Sequence, residues 1–418
     1  MEHHQRQNRN SSSTSYDESA HSRGKKIPTK QTRYSKFSNF NQRGTPSNTT
    51  DWDKGVHLKT RKSSQEEEDE DTDDSANVPF LIGTCPFMCP GGERTQREQL
   101  RDLAVFERLN GNPRKSSPGL AVKKFCRTIS TKHVQASGVR PLPVLEDTLK
   151  YLLNLLDTKE QPFEVIHDFI FDRTRSIRQD LSMQNIVNDK AIYMYEAMVK
   201  FHVISHHKLR SCANSASIHY LNMEQLSKTL TSLFDLYEAN QDSNLIYKNE
   251  AEFRSLYVLL HLDSYSKPAG ESLSLWFRLV SPPVMRSTEM CFARKILRSF
   301  RMGNYKRFHC TTAAEASYLQ YCVIEPYINE VRAMALSCIN SVCYKLHPYP
   351  LADLSKLLMM KESDLECLCS ACSLETCTNE SGDKLLSTKQ TTFCYPKGGF
   401  QSYSFLGLEE FERMTEKE

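Results

Sequence analysis

Cys85 and Cys89 have three residues between them and each is followed by a proline; a thiol pair so placed can be half of a metal clip or a redox couple. Zinc ordinarily takes four ligands, and a thioredoxin-type couple has two intervening residues rather than three. The alternative is packing, in which Pro86 and Pro90 stiffen an extended segment while the two thiols, Phe87 and Met88 plug into the body behind it. His202, His206 and His207 are a second candidate. The first two, at i and i+4, can face a metal from one side of a helix, but the glutamate and further ligand of an H-E-x-x-H hydrolase are missing, and core or helix-end histidines fit the same spacing. The third is Cys367, Cys369, Cys372 and Cys377, whose C-x-C-x2-C-x4-C order lies in a helix-like run without paired C-x2-C knuckles. No metal, no cofactor and no catalytic residue is expected from these clusters.

Two cationic motifs bear on binding. In D-R-T-R-S-I-R-Q-D-L-S-M-Q-N, residues 172–185, Arg173, Arg175 and Arg178 could grip phosphates as planar forks, or Asp172 and Asp180 could hold those arginines in ion pairs between helices; the local supply of carboxylates favours pairing. In R-K-I-L-R-S-F-R-M-G-N-Y-K-R-F, residues 294–308, Arg294, Lys295, Arg298, Arg301, Lys306 and Arg307 interleave with Phe300, Tyr305 and Phe308. Charge with stacking rings suits single-stranded nucleic acid; a solvated amphipathic helix with its rings in the core fits equally. Lys356, Lys361, Lys384, Lys389 and Lys397 could extend such a surface.

These side chains must be positioned by helices. Leu100, Leu103, Ala104, Val105, Phe106 and Leu109 predict an apolar face running from Glu93 to a stop at Asn110, Gly111 and Pro113, with Arg94, Arg97, Arg101 and Arg108 on its polar side. A further segment begins at residues 121–125. V-R-P-L-P at 139–143 forces an extended turn, and Val144 to Leu156 then repeat at three- and four-residue intervals. Phe163, Ile166, Phe169 and Ile170 form another face, as do Ile186, Val187, Tyr193, Met194, Ala197, Met198 and Phe201, then Leu226, Leu230, Leu233, Phe234 and Tyr237, then Phe253, Leu256, Tyr257, Leu259 and Leu260. Short polar connections predict stacked antiparallel hairpins without a strict repeat. Near the end, Leu351, Leu354, Leu357 and Leu358 make a short helix, and Ser363 and Asp364 can cap a second containing Leu365, Leu368 and Leu374. T-N-E-S-G-D then supplies a turn, and residues 384–405, with Gly398 and Gly399, predict a β-hairpin.

The fold class is therefore mainly α: PCI-like stacked helical hairpins closed by a C-terminal winged-helix subdomain, after a disordered N-terminal tail. With 418 residues, 39% of them hydrophobic, there is room for a sizeable core. The formal charge of +3 argues neither for nor against nucleic acid by itself. The boundaries read as a disordered tail at 1–78, basic at Arg23, Lys25, Lys26, Lys30, Arg33 and Lys36 and acidic at 66–74; lead-in helices at 79–143; a helical-repeat region at 144–345; a winged helix at 346–408; and a tail at 409–418. Apolar runs are broken well before about 18 residues and no secretory signal is evident, so neither a membrane span nor export is expected. The fourteen cysteines are then read as reduced thiols.

G-T-C-P-F-M-C-P-G-G-E-R-T-Q-R-E at 83–98 resembles the opening signature of the Sac-three/GANP family of messenger-RNA export scaffolds. R-P-L-P-V-L-E-D-T-L-K-Y-L-L, D-R-T-R-S-I-R-Q-D-L, Y-E-A-M-V-K-F-H-V-I-S-H-H-K-L, E-Q-L-S-K-T-L-T-S-L and E-A-E-F-R-S-L-Y-V-L-L resemble successive family motifs in family order, so the resemblance covers residues 83–405. It implies a non-catalytic nuclear scaffold, often of the TREX-two complex at the nuclear pore, with a second PCI-domain subunit and a small acidic Sem-type protein as partners and RNA or DNA as an auxiliary ligand; no small-molecule substrate is implied. The chain resembles the shorter plant-like members. It shows neither the phenylalanine-glycine repeats nor the long helix for a Sus-type subunit and centrin found in larger members, nor an acetyltransferase region, so pore docking through those parts is not expected. The other functional classes are a centrosomal or spindle scaffold and a cysteine- or histidine-dependent metalloenzyme.

Overall fold

The computed structural model describes residues 81–128, 134–212, 215–240, 247–263, 273–342, 347–396 and 403–406. The tails expected at 1–78 and 409–418, with Lys397, Gly398 and Gly399, lie outside the described residues.

The chain enters through an extended stretch into α1 (Gly91–Leu100), with Pro90 preceding it and Glu93 in the first turn, where a carboxylate meets the positive end of the helix. The helix stops earlier than its apolar spacing predicts. Arg101 turns left-handed (φ 57°), and the N–H of Asp102 bonds back to the carbonyl of Arg97. Leu100 is 68% exposed, and residues 105–107 and 109–111 form only single 3-10 turns. The expected segment at 121–125 is non-helical, with Ala121 and Val122 fully buried.

From there the 3.6-residue period holds. Pro141 is extended and leads into α2 (Leu142–Asn154), where Pro143 sits in the first turn and needs no donor. Then come α3 (Phe163–Met183), α4 (Asp189–Arg210), α5 (Ala216–Ala239), α6 (Glu250–Leu260), α7 (Leu273–Leu279), α8 (Pro282–Met285), α9 (Thr288–Arg301), α10 (Tyr305–Glu315) and α11 (Tyr318–Val342). Asn188, Ser287 and Asn304 cap α4, α9 and α10 by accepting a backbone N–H three residues on, at 3.0 to 3.1 Å. Helix α4 buries side chains on nearly every face, from Ala191 to Leu209, and so lies inside the array; Tyr193, expected on its apolar face, is exposed. Leu226, Leu230, Leu233, Phe234 and Tyr237 of α5 are all buried.

Helix α11 joins two cores. Its first half, with Tyr321, Val323, Ile324, Ile328 and Val331, belongs to the large core of the array; its second half, with Ala335, Leu336 and Ile339, packs into a smaller C-terminal core. That smaller body consists of β1 (Tyr349–Pro350), α12 (Leu351–Leu358), α13 (Glu362–Ala371), β2 (Thr376–Thr378) and β3 (Lys384–Leu386). The antiparallel sheet has the order β1-β3-β2, Leu386 standing opposite both Tyr349 and Thr376. The hairpin thus comes earlier than predicted: T-N-E-S-G-D is its loop, closed by bonds between Asn379 and Asp383 with Gly382 at φ 86°. Residue Lys361, not Ser363 or Asp364, takes the N-cap position of α13. Asp364 instead accepts the N–H of Ser404 at 2.7 Å, tying down the segment at 403–406.

Candidate functional site: a clamped lead-in segment and a basic helical hairpin

The signature segment is fastened by backbone and by buried charge. Thr84 and Cys85 donate to the carbonyls of Ala136 and Val139 at 2.9 and 3.0 Å, and Gly83 donates to Gln184 at 2.9 Å. A Cβ on Gly83 would stand 2.6 Å from the Val139 oxygen, so only glycine permits this approach. Cys85 and Cys89 are buried and donate to loop carbonyls, of Phe87 at 3.2 Å and Pro90 at 3.6 Å. Burial, with Glu93 nearby, pushes the Cys89 thiol up to about 12, the opposite of an activated thiolate. Of the two side chains expected to plug the body, Met88 packs against the core, while Phe87 is 45% exposed.

Behind this segment two carboxylates collect donors from distant parts of the chain. Asp180 accepts from Lys123 at 2.6 Å and from Arg140 Nε at 2.7 Å, all three buried. Arg140 also donates to Ser176 at 2.9 Å, and Gln184 donates to the Arg140 carbonyl at 2.9 Å. Glu107, fully buried, accepts from Arg97, from Arg173 at 3.1 Å, and from the N–H groups of Ala104 and Val122 at 3.0 Å each. That demand explains why α1 breaks: a continued helix could not turn Glu107 inward to all four donors.

The three motif arginines are thereby accounted for. Arg173 pairs with Glu107 and Asp172; Arg175 lies over the Phe125 ring at 3.8 Å; Arg178 donates to Gln225 at 2.6 Å. Asp180 holds Lys123 and Arg140 rather than the motif's own arginines. Glu107, Lys123 and Arg140 were not singled out in the sequence, because each sits where charged residues are ordinary: Glu107 beside Arg108, Lys123 beside Lys124, and Arg140 just before a proline turn.

The histidines have separate partners. Asn222 Oδ1 accepts from His202 Nδ1 at 2.8 Å and from His167 Nε2 at 3.2 Å, which assigns a proton to each of those nitrogens. His206 Nδ1 meets His219 Nε2 at 2.8 Å, and His207 lies 3.9 Å from Glu325. Burial above all holds His202 and His206 down to about 3, so both are neutral. The i, i+4 pair is therefore divided between two partners. Cys369 and Cys372 are buried while Cys367 and Cys377 are exposed, so that set does not converge either. Among the described residues no group of three or more His, Cys, Asp or Glu could hold a metal ion. An open cleft on the outer side of α1 is lined by Thr95, Glu98, Gln99, Arg101 and Arg114, without a nucleophile beside a base.

The cations of α9 and α10 have the opposite surroundings. Lys295 bonds Glu315 at 2.8 Å, joining the middle of α9 to the end of α10 and making the two helices an antiparallel hairpin. Arg294, Arg298, Arg301, Lys306 and Arg307 are exposed, the last four gathered toward the turn at Met302 and Gly303. The interleaved rings turn toward the core: Phe308 is fully buried, and Phe300, half-buried, packs on Phe308 and Tyr327. Of the C-terminal lysines, Lys384 pairs with Glu366 and Lys356 lies 3.8 Å from Asp353, while Lys361 and Lys389 are exposed. Among the described residues no helix is long and apolar enough to cross a membrane.

Residues 88–378, which contain Cys89, the two buried carboxylate clusters, α1 to α13 and β2 but not Gly83 to Cys85, match the family model for the SAC3/GANP family. SAC3 family protein B of Arabidopsis thaliana is 36% identical over 306 residues, covering 71% of this chain and 18% of that protein. SAC3 family protein 1 of Schizosaccharomyces pombe is 31% identical over 303 residues, covering 66% and 28%, and Protein xmas of Drosophila melanogaster is 28% identical over 269, covering 61% and 12%. The chain thus spans less than a third of the length of each of these relatives. A match running from the buried lead-in to the C-terminal sheet places the whole helical body in one lineage, and the chain belongs to the SAC3/GANP family.

Proposed function

We propose that the chain is a non-catalytic scaffold of a nuclear messenger-RNA export assembly related to TREX-two. It holds a second PCI-domain subunit and a small acidic Sem-type protein through its helical faces and C-terminal body, and binds RNA or DNA on the α9–α10 hairpin. The observation that carries this is the family match over residues 88–378. The stacked helices up to α11 are consistent with a PCI-type array, and the order β1, α12, α13, β2, β3 with that of a winged helix. A scaffold role is further supported by polar clusters that are paired off within the fold: Asp180 with Lys123 and Arg140, Glu107 with Arg97 and Arg173, and His206 with His219.

Affinity purification of the tagged full chain from nuclear extract tests the assignment. Recovery of a PCI-domain subunit with a small acidic protein, and nuclear retention of polyadenylated RNA when the chain is depleted, are the expected results. Centrosomal or spindle proteins in their place would overturn it. Stoichiometric zinc in the purified chain, or loss of function in a folded Cys85→Ser, Cys89→Ser variant, would overturn the non-catalytic assignment.

A further inference from the structure

We infer that the α9–α10 hairpin grips the phosphate backbone of a duplex, RNA before DNA, and does not select single strands by stacking. The inference rests on the nucleic-acid function proposed above and goes further by naming the form bound.

Single strands are held by a cationic groove together with aromatic faces on which bases stack. Here the sequence places rings among the cations and the fold turns them inward, Phe308 wholly and Phe300 and Tyr305 in part. Phe308 is fully buried; Phe300 packs at 5.5 Å from Tyr327 and 6.1 Å from Phe308; Tyr305 packs against both hydrophobic cores. What faces outward is charge. Arg294, Arg298 and Arg301 repeat at i, i+4 and i+7 on one side of α9, spanning about 10 Å at 1.5 Å per residue. Lys306 and Arg307 continue the row from the first turn of α10. Among the described residues no carboxylate pairs with Arg294, Arg298, Lys306 or Arg307, whereas Lys295, facing the other helix, is taken by Glu315. A row of guanidinium and ammonium groups without rings binds in proportion to phosphate density, and a duplex offers two phosphates for every one on a single strand of equal length. Guanidinium forks can each take two phosphate oxygens, and an A-form helix is recognised largely by its shape and backbone, which is why RNA duplex ranks first.

Fluorescence anisotropy on the full chain, with a 16-base-pair RNA duplex of mixed sequence, the same sequence as DNA duplex, and either RNA strand alone, reads this directly. Duplex RNA is expected to bind at least about threefold more tightly than the single strand, with a salt slope set by about four or five phosphates. The double variant Arg298→Glu, Arg307→Glu should lower the magnitude of that slope by about two and weaken all sequences alike. Charge-dependent binding that favours the single strand would overturn the duplex inference while leaving nucleic-acid binding intact. Unchanged affinity and slope in the folded double variant, or binding of polyglutamate without any RNA binding, would overturn both.

Discussion

Arg97, Lys123, Arg140 and Arg173 behind the lead-in segment, and Arg294, Arg298, Lys306 and Arg307 on the α9–α10 hairpin, are the same residue types in opposite surroundings. The first four are at most 5% exposed and each meets a carboxylate; among the described residues the second four face solvent without one. A buried charge is tolerated only when a partner and further hydrogen bonds replace its water, so the first set is bound to the geometry of the fold. An exposed charge keeps its water, and changing it leaves the fold alone while altering what the surface attracts. Arginine-rich sequence therefore carries two meanings in one chain, and burial separates them.

The sharpest way to break the contrast is Asp180→Ala. It would leave Lys123 and Arg140 buried without their carboxylate, and a loss of about 3–5 kcal/mol in urea unfolding is expected. An unchanged midpoint would mean that the clamp is no more demanding than the surface. Gly83→Ala probes the same clamp through shape: a methyl 2.6 Å from the Val139 oxygen forces backbone to move, for an expected loss of about 1–3 kcal/mol by the same measurement.

The neutral histidines extend the contrast to pH. His202, His206 and His309 are held down to about 3 against an ordinary 6.5, chiefly by burial, with Arg178, His219 and Arg332 respectively adding to it. Between those values the unfolded chain binds more protons than the folded one. These rings therefore leave stability intact above about pH 6.5 and erode it as pH falls toward 3. At pH 5 unfolding should take up about three protons from them, seen as a falling melting temperature between pH 7 and 5. Among the described residues neither buried ring nitrogen of His309 has a hydrogen-bond partner, so His309→Leu should keep stability at pH 7 and remove about a third of that uptake. The smallest effect is expected on the surface: Arg298→Glu with Arg307→Glu should leave the unfolding midpoint where it is. A clear drop would show that the hairpin's cations are structural after all.

Much of the array was legible because helical periodicity is a local property. Leu226 to Tyr237 predict one buried face and the fold buries all five residues, since a stripe recurring every three or four residues has only one way to be dry. The same logic failed at Leu100 to Leu109, where apolar spacing competes with Glu107 turning inward, and on α4, whose burial all round hides any single stripe. The C-terminal hairpin was displaced because its strands are three residues each, too short for alternation to register, while its loop chemistry stood out. The metal-like spacings show the same limit of a local count. His202 and His206 share a helix face by count, but Asn222 and His219, supplied by the next helix, draw their nitrogens apart.

The sequence by itself determined that this is a helical body of the SAC3/GANP lineage, and where most of its long helices run, because apolar period and motif order are written along the chain. Only the tertiary structure decided which charges are packing and which are surface. Asp180 finds Lys123 across 57 residues and Glu107 finds Arg173 across 66, and no local pattern records a partner that only folding brings within 3 Å or so.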